Sequence, residues 1–389
     1  MRLLQGIRVL DLGMYIAGPY TAALLGELGA DVVKVEMPRR GDPFREFDKD
    51  GLYSKEFRSH NRNKRSVSLD YTRPDGLQVL RKLVDTADVF IINSRPGVAE
   101  KLGISHEAMR EANPRLVYCS ITGFGGDGPY AQRPAFDSVG QALSGWASRH
   151  RRGDDPRVIG PAIADPVASH YAALGIQAAL IDRHRTGKGC LVEVNLLEAM
   201  IALGVEPIMS YFATGEVQGV FERPAMSQAY NVTCKDGKRI GLHVSSVDKF
   251  WQAMCRALGR EDWLAAYPQR MDRVRDYEKL AAELNAIFAQ RNREDWTPVL
   301  EKAGFPFAPE LEIQELEDDP QIRHLGVFYE TEHPKFGRVR GPHRPVRANG
   351  SREIDFRPPP GLGEHTDEVL REAGIAAENI DDLRRAGVV

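Results

Sequence analysis

Four strand-like runs fall within the first 125 residues, and their alternation with helical segments limits the fold more than any other feature. Residues 7–12 (IRVLDL) are apolar and β-branched, and a Gly-Pro turn then opens a short helix over 21–29 that Gly29 closes. Residues 31–36 (DVVKVE), 88–93 (DVFIIN) and 116–123 (LVYCSITG) read as further strands. Helical periodicity (Leu77, Leu80, Leu83, Val84) lies over 75–87. This alternation predicts an α/β fold, a parallel sheet with helices on both faces. Ligands of such sheets collect at the carboxyl ends of the strands. Those ends are residues 13–18, 36–41, 93–97 and 123–128, four glycine-containing loops on one rim.

The strongest helix is predicted at 166–185, where Val167, Tyr171, Leu174, Ala178 and Ile181 make one apolar stripe. Asp165-Pro166 offers an N-cap and a first-turn proline, Arg183, His184 and Arg185 suit the negative end, and Gly187 stops it. Periodicity weakens over 205–230. A hairpin then turns across Asp236-Gly237, followed by helices over 249–258, 277–290 and 293–302. The expected organisation is a large domain from 1–200, a linker over 201–224, a small α+β domain over 225–325, and a tail over 326–389. The tail carries a strand at VFYETEH and a last helix near 366–373.

A balance of 52 Lys+Arg against 55 Asp+Glu gives no general attraction to nucleic acid or an anionic membrane. No run approaches the ~20 apolar residues of a membrane span. MRLLQGIRVLDLG lacks the apolar block of a signal peptide. Cys119, Cys190, Cys234 and Cys255 form no CxxC, the ten histidines show no metal spacing, and no metal is expected. The cysteines read as reduced thiols of a cytoplasmic protein.

Gly123, Gly125 and Gly128 match GxGxxG after a strand, but Pro129 and Pro134 follow, and no helix is expected before residue 137 to meet a dinucleotide pyrophosphate. Thr186-Gly-Lys-Gly189 lacks the other P-loop residues and reads as a helix stop. Asp165 has two compatible readings. As an N-cap it would satisfy free amides. The positive helix end would also tend to lower its pKa and keep it ionised, a usable nucleophile.

Longer segments carry a resemblance. VLDLGMYIAGPYTAALLGELGADVVKVE (9–36), NRNKRSVSLD (61–70), INSRPGVAEKLGI (92–104), NPRLVYCSITGFGGDGPYAQRPAFDSVGQALSG (113–145), DRHRTGKGCLVEVNLLEA (182–199) and LGEHTDEVLREAGI (362–375) together resemble the class III CoA-transferases. That family includes formyl-CoA transferase, carnitine CoA-transferase and the α-methylacyl-CoA racemases. The resemblance implies a doubly wound, Rossmann-like large domain, a small domain, a tail returning to the large domain, and an interlocked homodimer. It places the family's catalytic aspartate at Asp165. It also implies coenzyme A contacts at Ile16, Ala17, Arg39 or Arg40, Leu69, Tyr71, Thr72, Asn93, Ser94, Arg95, Lys101, Arg133, Phe136 and Asp137. Acyl-CoA and a small carboxylic acid would be substrates, with no tightly bound cofactor. Ile16 stands where formyl-CoA transferase has Gln, and no glycine run occurs between 225 and 260, which argues against formyl and oxalate specificity.

Three functions follow: CoA transfer through aspartyl anhydride and aspartyl-CoA intermediates, racemisation at an acyl α-carbon, or non-catalytic acyl-CoA binding. Asp165 argues against the last. Phe136 stands where the racemases have the His of a His-Asp pair, and it cannot accept a proton. His170 lies roughly 140° around the helix from Asp165.

Overall fold

The apolar runs of the first half become one sheet in a computed structural model that describes residues 2–47, 52–245, 247–352 and 356–389. Its strands are β1 (Arg8–Asp11), β2 (Asp31–Glu36), β3 (Lys64–Ser68), β4 (Val89–Ile92), β5 (Val117–Thr122) and β6 (Leu191–Asn195). They lie in the order 3-2-1-4-5-6, every pair parallel. Successive side chains alternate between faces. Val9, Val32, Val89 and Val117 meet the first helix, α1 (Ala17–Glu27), and the long helix Ala164–Thr186. Leu10, Val33, Phe90 and Tyr118 face the other way, against helix Pro74–Asp85 and the C-terminal helices Thr366–Glu372 and Ala377–Arg385. Burial on both sides is why these strands read as near-continuous apolar runs. The chain winds outward from β1 in both directions, so the loops leaving β1 and β4 diverge and open a crevice between them.

The long helix does not pack through the stripe expected from the sequence. Its buried face is Ala164, Ala168, Ala172, Ala173, Ile176, Ala179 and Leu180, whereas Tyr171, Leu174 and Ile181 are 41%, 63% and 72% exposed. The cause is the closeness of α1. Ser169 Oγ donates to the Ala17 carbonyl at 2.9 Å, and Thr21 Oγ1 to the Ser169 carbonyl at 3.4 Å. Backbones this near leave room only for small side chains.

The chain divides into two compact units, Met1–Val205 with Gly326–Val389, and Glu206–Leu325. The second holds an antiparallel sheet of β7 (Ala229–Thr233), β8 (Arg239–His243) and β9 (Phe307–Pro309). Gly237, at φ +77°, makes the hairpin turn. Trp251, Trp263, Leu280, Phe288 and Trp296 form its core. The weakly periodic stretch at 205–230 contains helices Val205–Thr214 and Glu222–Ser227. Strands β10 (Phe328–His333) and β11 (Gly337–Pro342) pair within the first unit. No single helix among the described residues is long and apolar enough to cross a membrane.

Candidate active site

The crevice between the β1 and β4 loops is a cavity of about 380 Å³. Met14 to Ala17 form one wall and Asn93 to Pro96 a second. Ile121 to Gly123 and a segment from Ala131 to Phe136 close it, and Asp165 at the start of the long helix lines it too. Of the residues singled out from the sequence, Ile16, Ala17, Asn93, Ser94, Arg95, Arg133, Phe136 and Asp165 come together here. The glycine-rich run 123–128 stays a loop, and a helix begins only at Asp137.

Asp165 is not the N-cap. Helix formation starts one residue earlier, at Ala164, and Ile163 occupies the cap position without a side-chain bond. The cap is supplied from elsewhere: Asp137 Oδ2 accepts the Asp165 N–H at 3.0 Å. Gly140 makes this possible, because a Cβ there would sit 3.1 Å from Leu196 Cβ and 3.2 Å from Ala164 Cβ. Helix Asp137–Leu143 can therefore lie against the start of the long helix. The Asp165 carboxylate is left turned to the cavity and makes no hydrogen bond or ion pair among the described residues. Burial, and then the Asp137 carboxylate beside it, push its pKa up to about 7. The downward shift expected from the helix end is thus reversed, because the amides that would lower it are not bonded to this side chain.

Asn93 lines the cavity, but its amide group is engaged elsewhere. Oδ1 accepts from Met14 N–H and Nδ2 donates to the Met14 carbonyl, both at 2.8 Å. Phe136 is 60% exposed, its ring edge-on to Tyr15 at 5.7 Å, so it is a wall of the cavity and not a core residue. The Arg133 guanidinium lies 3.8 Å from the Tyr130 ring centroid, an exposed cation on the rim. Besides Asp137, which caps the long helix, Leu69, Tyr71, Thr72, Arg39 and Lys101 lie outside the lining of this cavity. Leu69 is fully buried in the core, and Tyr71 is half-buried against it. The Thr72 hydroxyl bonds Asp70 Oδ1. Arg39 (φ +69°) is exposed on the loop that follows β2, and Lys101 is exposed at the end of the short helix Val98–Lys101 after β4. Tyr15 is a lining residue the sequence reading missed. Its signal was an aromatic between two small-residue positions, Gly13 and Gly18, at the end of the first strand.

The sequence matches the profile of CoA-transferase family III over residues 4–366. The chain belongs to this family. Human succinyl-CoA:glutarate CoA-transferase is 32% identical, covering 99% of this chain and 90% of its own. Formyl-CoA:oxalate CoA-transferase of Rhodopseudomonas palustris is also 32% identical, over 99% and 96%. A CAIB/BAIF family protein from Brucella suis superposes with a TM-score of 0.81 at 31% identity, covering 95% of this chain and 99% of that one. As a member of family III the protein is an enzyme, and the crevice just described lies in the part of the chain that matches.

Proposed function

We propose that the enzyme transfers CoA from an acyl-CoA donor, of which succinyl-CoA is the first candidate, to a small carboxylic acid, with Asp165 as nucleophile. The supporting observation is the unpartnered Asp165 carboxylate in a cavity that the first turn of α1 also lines. A carboxylate oxygen of Asp165 attacks the thioester carbonyl, the C–S bond breaks, and CoA thiolate leaves a mixed anhydride. Thiolate attacks Asp165 Cγ, the anhydride C–O bond breaks, and the donor acid departs, leaving aspartyl-CoA. The acceptor carboxylate then attacks Cγ and expels thiolate. Thiolate attacks the new acyl carbon, releasing acyl-CoA and restoring the Asp165 carboxylate. No step needs a proton, in keeping with a lining that contains no histidine. The first amides of α1 have no intrahelical carbonyl and suit the tetrahedral oxyanions.

The named activity of the human relative, acting on glutarate, directs the first assay to dicarboxylates. Arg95 and Arg133 on the rim, with Arg39 on the loop after β2 and Lys101 at the end of helix Val98–Lys101, suit the CoA phosphates. The racemase reading is disfavoured because Phe136 and not a base stands in the wall. His170 is held through Nδ1 at 2.7 Å from the Pro166 carbonyl and does not line the cavity. Incubation with succinyl-CoA and glutarate in heavy water, read by mass, should give glutaryl-CoA without α-deuterium. Entry of α-deuterium into a chiral 2-methylacyl-CoA at a rate comparable to exchange would overturn the reading.

We also propose a homodimer in the cytoplasm. Tyr171, Leu174 and Ile181 on the long helix, and Met209 and Phe212 on helix Val205–Thr214, are large apolar side chains at 41–74% exposure. Such faces mark interfaces. Light scattering should give twice the chain mass, and a monomer mass would refute the dimer. All four cysteines are free.

A further inference from the structure

The turn between β1 and α1 has no regular structure, yet side chains hold its backbone at five successive polar groups. Gly13 N–H donates to Asp11 Oδ1 at 2.9 Å, and the Gly13 carbonyl accepts from Lys34 Nζ at 2.8 Å. Asn93 takes both Met14 groups. Tyr15 N–H donates to Asp42 Oδ1 at 3.2 Å. The grips come from the ends of β1 and β4, from Lys34 within β2, and from the loop after β2. Lys34 and Asp42 pair at 3.0 Å with both side chains completely buried. Lys64, equally buried, ties Asp11 at 2.7 Å and also donates to the Pro19 carbonyl and Asn61 Oδ1, each at 2.7 Å.

This arrangement holds a conformation the chain would not choose alone. Tyr15 sits at φ +63°, where side chains other than glycine are uncommon. Gly13 and Gly18 close the turn back to back, since a Cβ on Gly13 would lie 2.8 Å from Gly18 Cα. Well-packed apolar residues commonly stabilise a core as well as buried ion pairs do, so stability alone does not account for Lys34 and Asp42. Ile16 and Ala17 follow Tyr15 directly and face the same cavity as Asp165.

We propose that Lys34 and Asp42 are positioning residues for the reaction. Acting through the Gly13 carbonyl and the Tyr15 amide, they fix the turn so that the first amides of α1 stand ready at the cavity. The proposal rests on the CoA-transfer reading above, and its test separates the two.

Lys34→Met/Asp42→Leu removes both charges together, so no uncompensated partner of the pair remains. It should fold with a thermal midpoint near that of the parent. Its kcat should fall about 100-fold, the usual effect of losing one oxyanion donor. The acyl-CoA KM should change less than threefold. Amide exchange at Tyr15 should speed up at least tenfold while the central strands keep their protection. Lys34→Met/Asp42→Asn keeps an acceptor for Tyr15 N–H and should recover at least tenfold of the lost rate. The proposal is overturned by an unchanged kcat in the first variant, by an unchanged Tyr15 amide, or by failure of both variants to fold. If the parent itself transfers no CoA, the functional reading fails, and the Tyr15 amide still decides whether these residues hold the turn.

Discussion

At the amino-terminal rim of the large sheet, Arg8 and Arg65 reach three carboxylates. Arg8 meets Asp31 at 3.0 Å and Glu372 at 2.7 Å. Arg65 meets Asp31 at 2.6 Å, and Glu368 and Glu372 at 2.8 Å. Hydrogen bonds from Arg65 hold the Glu372 carboxyl below its usual range. At the carboxyl rim, Asp165 is half-buried without such a partner, and desolvation with a neighbouring carboxylate moves its pKa the other way. One rim uses carboxylates to fasten the helix Thr366–Glu372 to the sheet. The other keeps one carboxylate unfastened, which costs stability when it ionises and leaves its oxygens free to attack. The direction of the pKa shift thus separates a structural acid from a candidate nucleophile.

The largest effect expected from this contrast is on activity. Asp165→Ala should lower CoA exchange by at least ~10⁴-fold with the fold intact, as loss of a covalent nucleophile does. Arg65→Ala should do the reverse. Exchange per folded molecule should stay within twofold, while denaturant unfolding shows a loss of roughly 2 kcal/mol, less than for a fully buried pair because the acids are partly exposed. Near-normal exchange in the first variant, or a large kcat defect in the second, would contradict the contrast.

A smaller effect concerns stability and pH. The Asp165 pKa is about 7 in the native chain against 3.8 for a free aspartate. The native state therefore binds this proton more tightly than the unfolded state. Its contribution to stability is full below pH 4 and is lost as pH rises to 7. Asp165→Asn, which cannot ionise, should be more stable than the parent by roughly 2 kcal/mol at pH 8, with the gain vanishing near pH 4. Thermal unfolding at the two pH values reads this. The smallest effect is expected from Asp137→Asn, which keeps an acceptor for the Asp165 amide and removes the like charge. The acidic limb of kcat/KM, centred near pH 7 in the parent, should move down by roughly half a unit to one unit.

The parallel sheet and the loops at its carboxyl rim were legible because strands buried on both faces leave unbroken apolar runs. A helix after the first strand and the stop at Gly187 were legible for similarly local reasons, although the helix runs over Ala17–Glu27 and takes in Gly18 and Pro19, which the sequence reading gave to a turn before residue 21. The packing face of the long helix was not. Periodicity weighs large apolar residues, and close contact with α1 selects alanine. The environment of Asp165 was also hidden, since its capping partner Asp137 comes from a helix 28 residues away in sequence. Lys34 did leave a signal. A lysine inside DVVKVE, a strand buried on both faces, has to find an acid, and Asp42 lies just beyond the end of that strand. Asn93 could not be told from a ligand-binding residue without seeing that the Met14 backbone occupies both ends of its amide.

Covalent trapping tests the central claim most directly. The enzyme is incubated with succinyl-CoA and hydroxylamine, digested, and its peptides weighed. Asp165 as nucleophile predicts a hydroxamate confined to the peptide that carries Asp165, dependent on the acyl-CoA and absent from Asp165→Ala. An unmodified Asp165 peptide under conditions where CoA exchange is running, or a hydroxamate on another carboxylate, would contradict it.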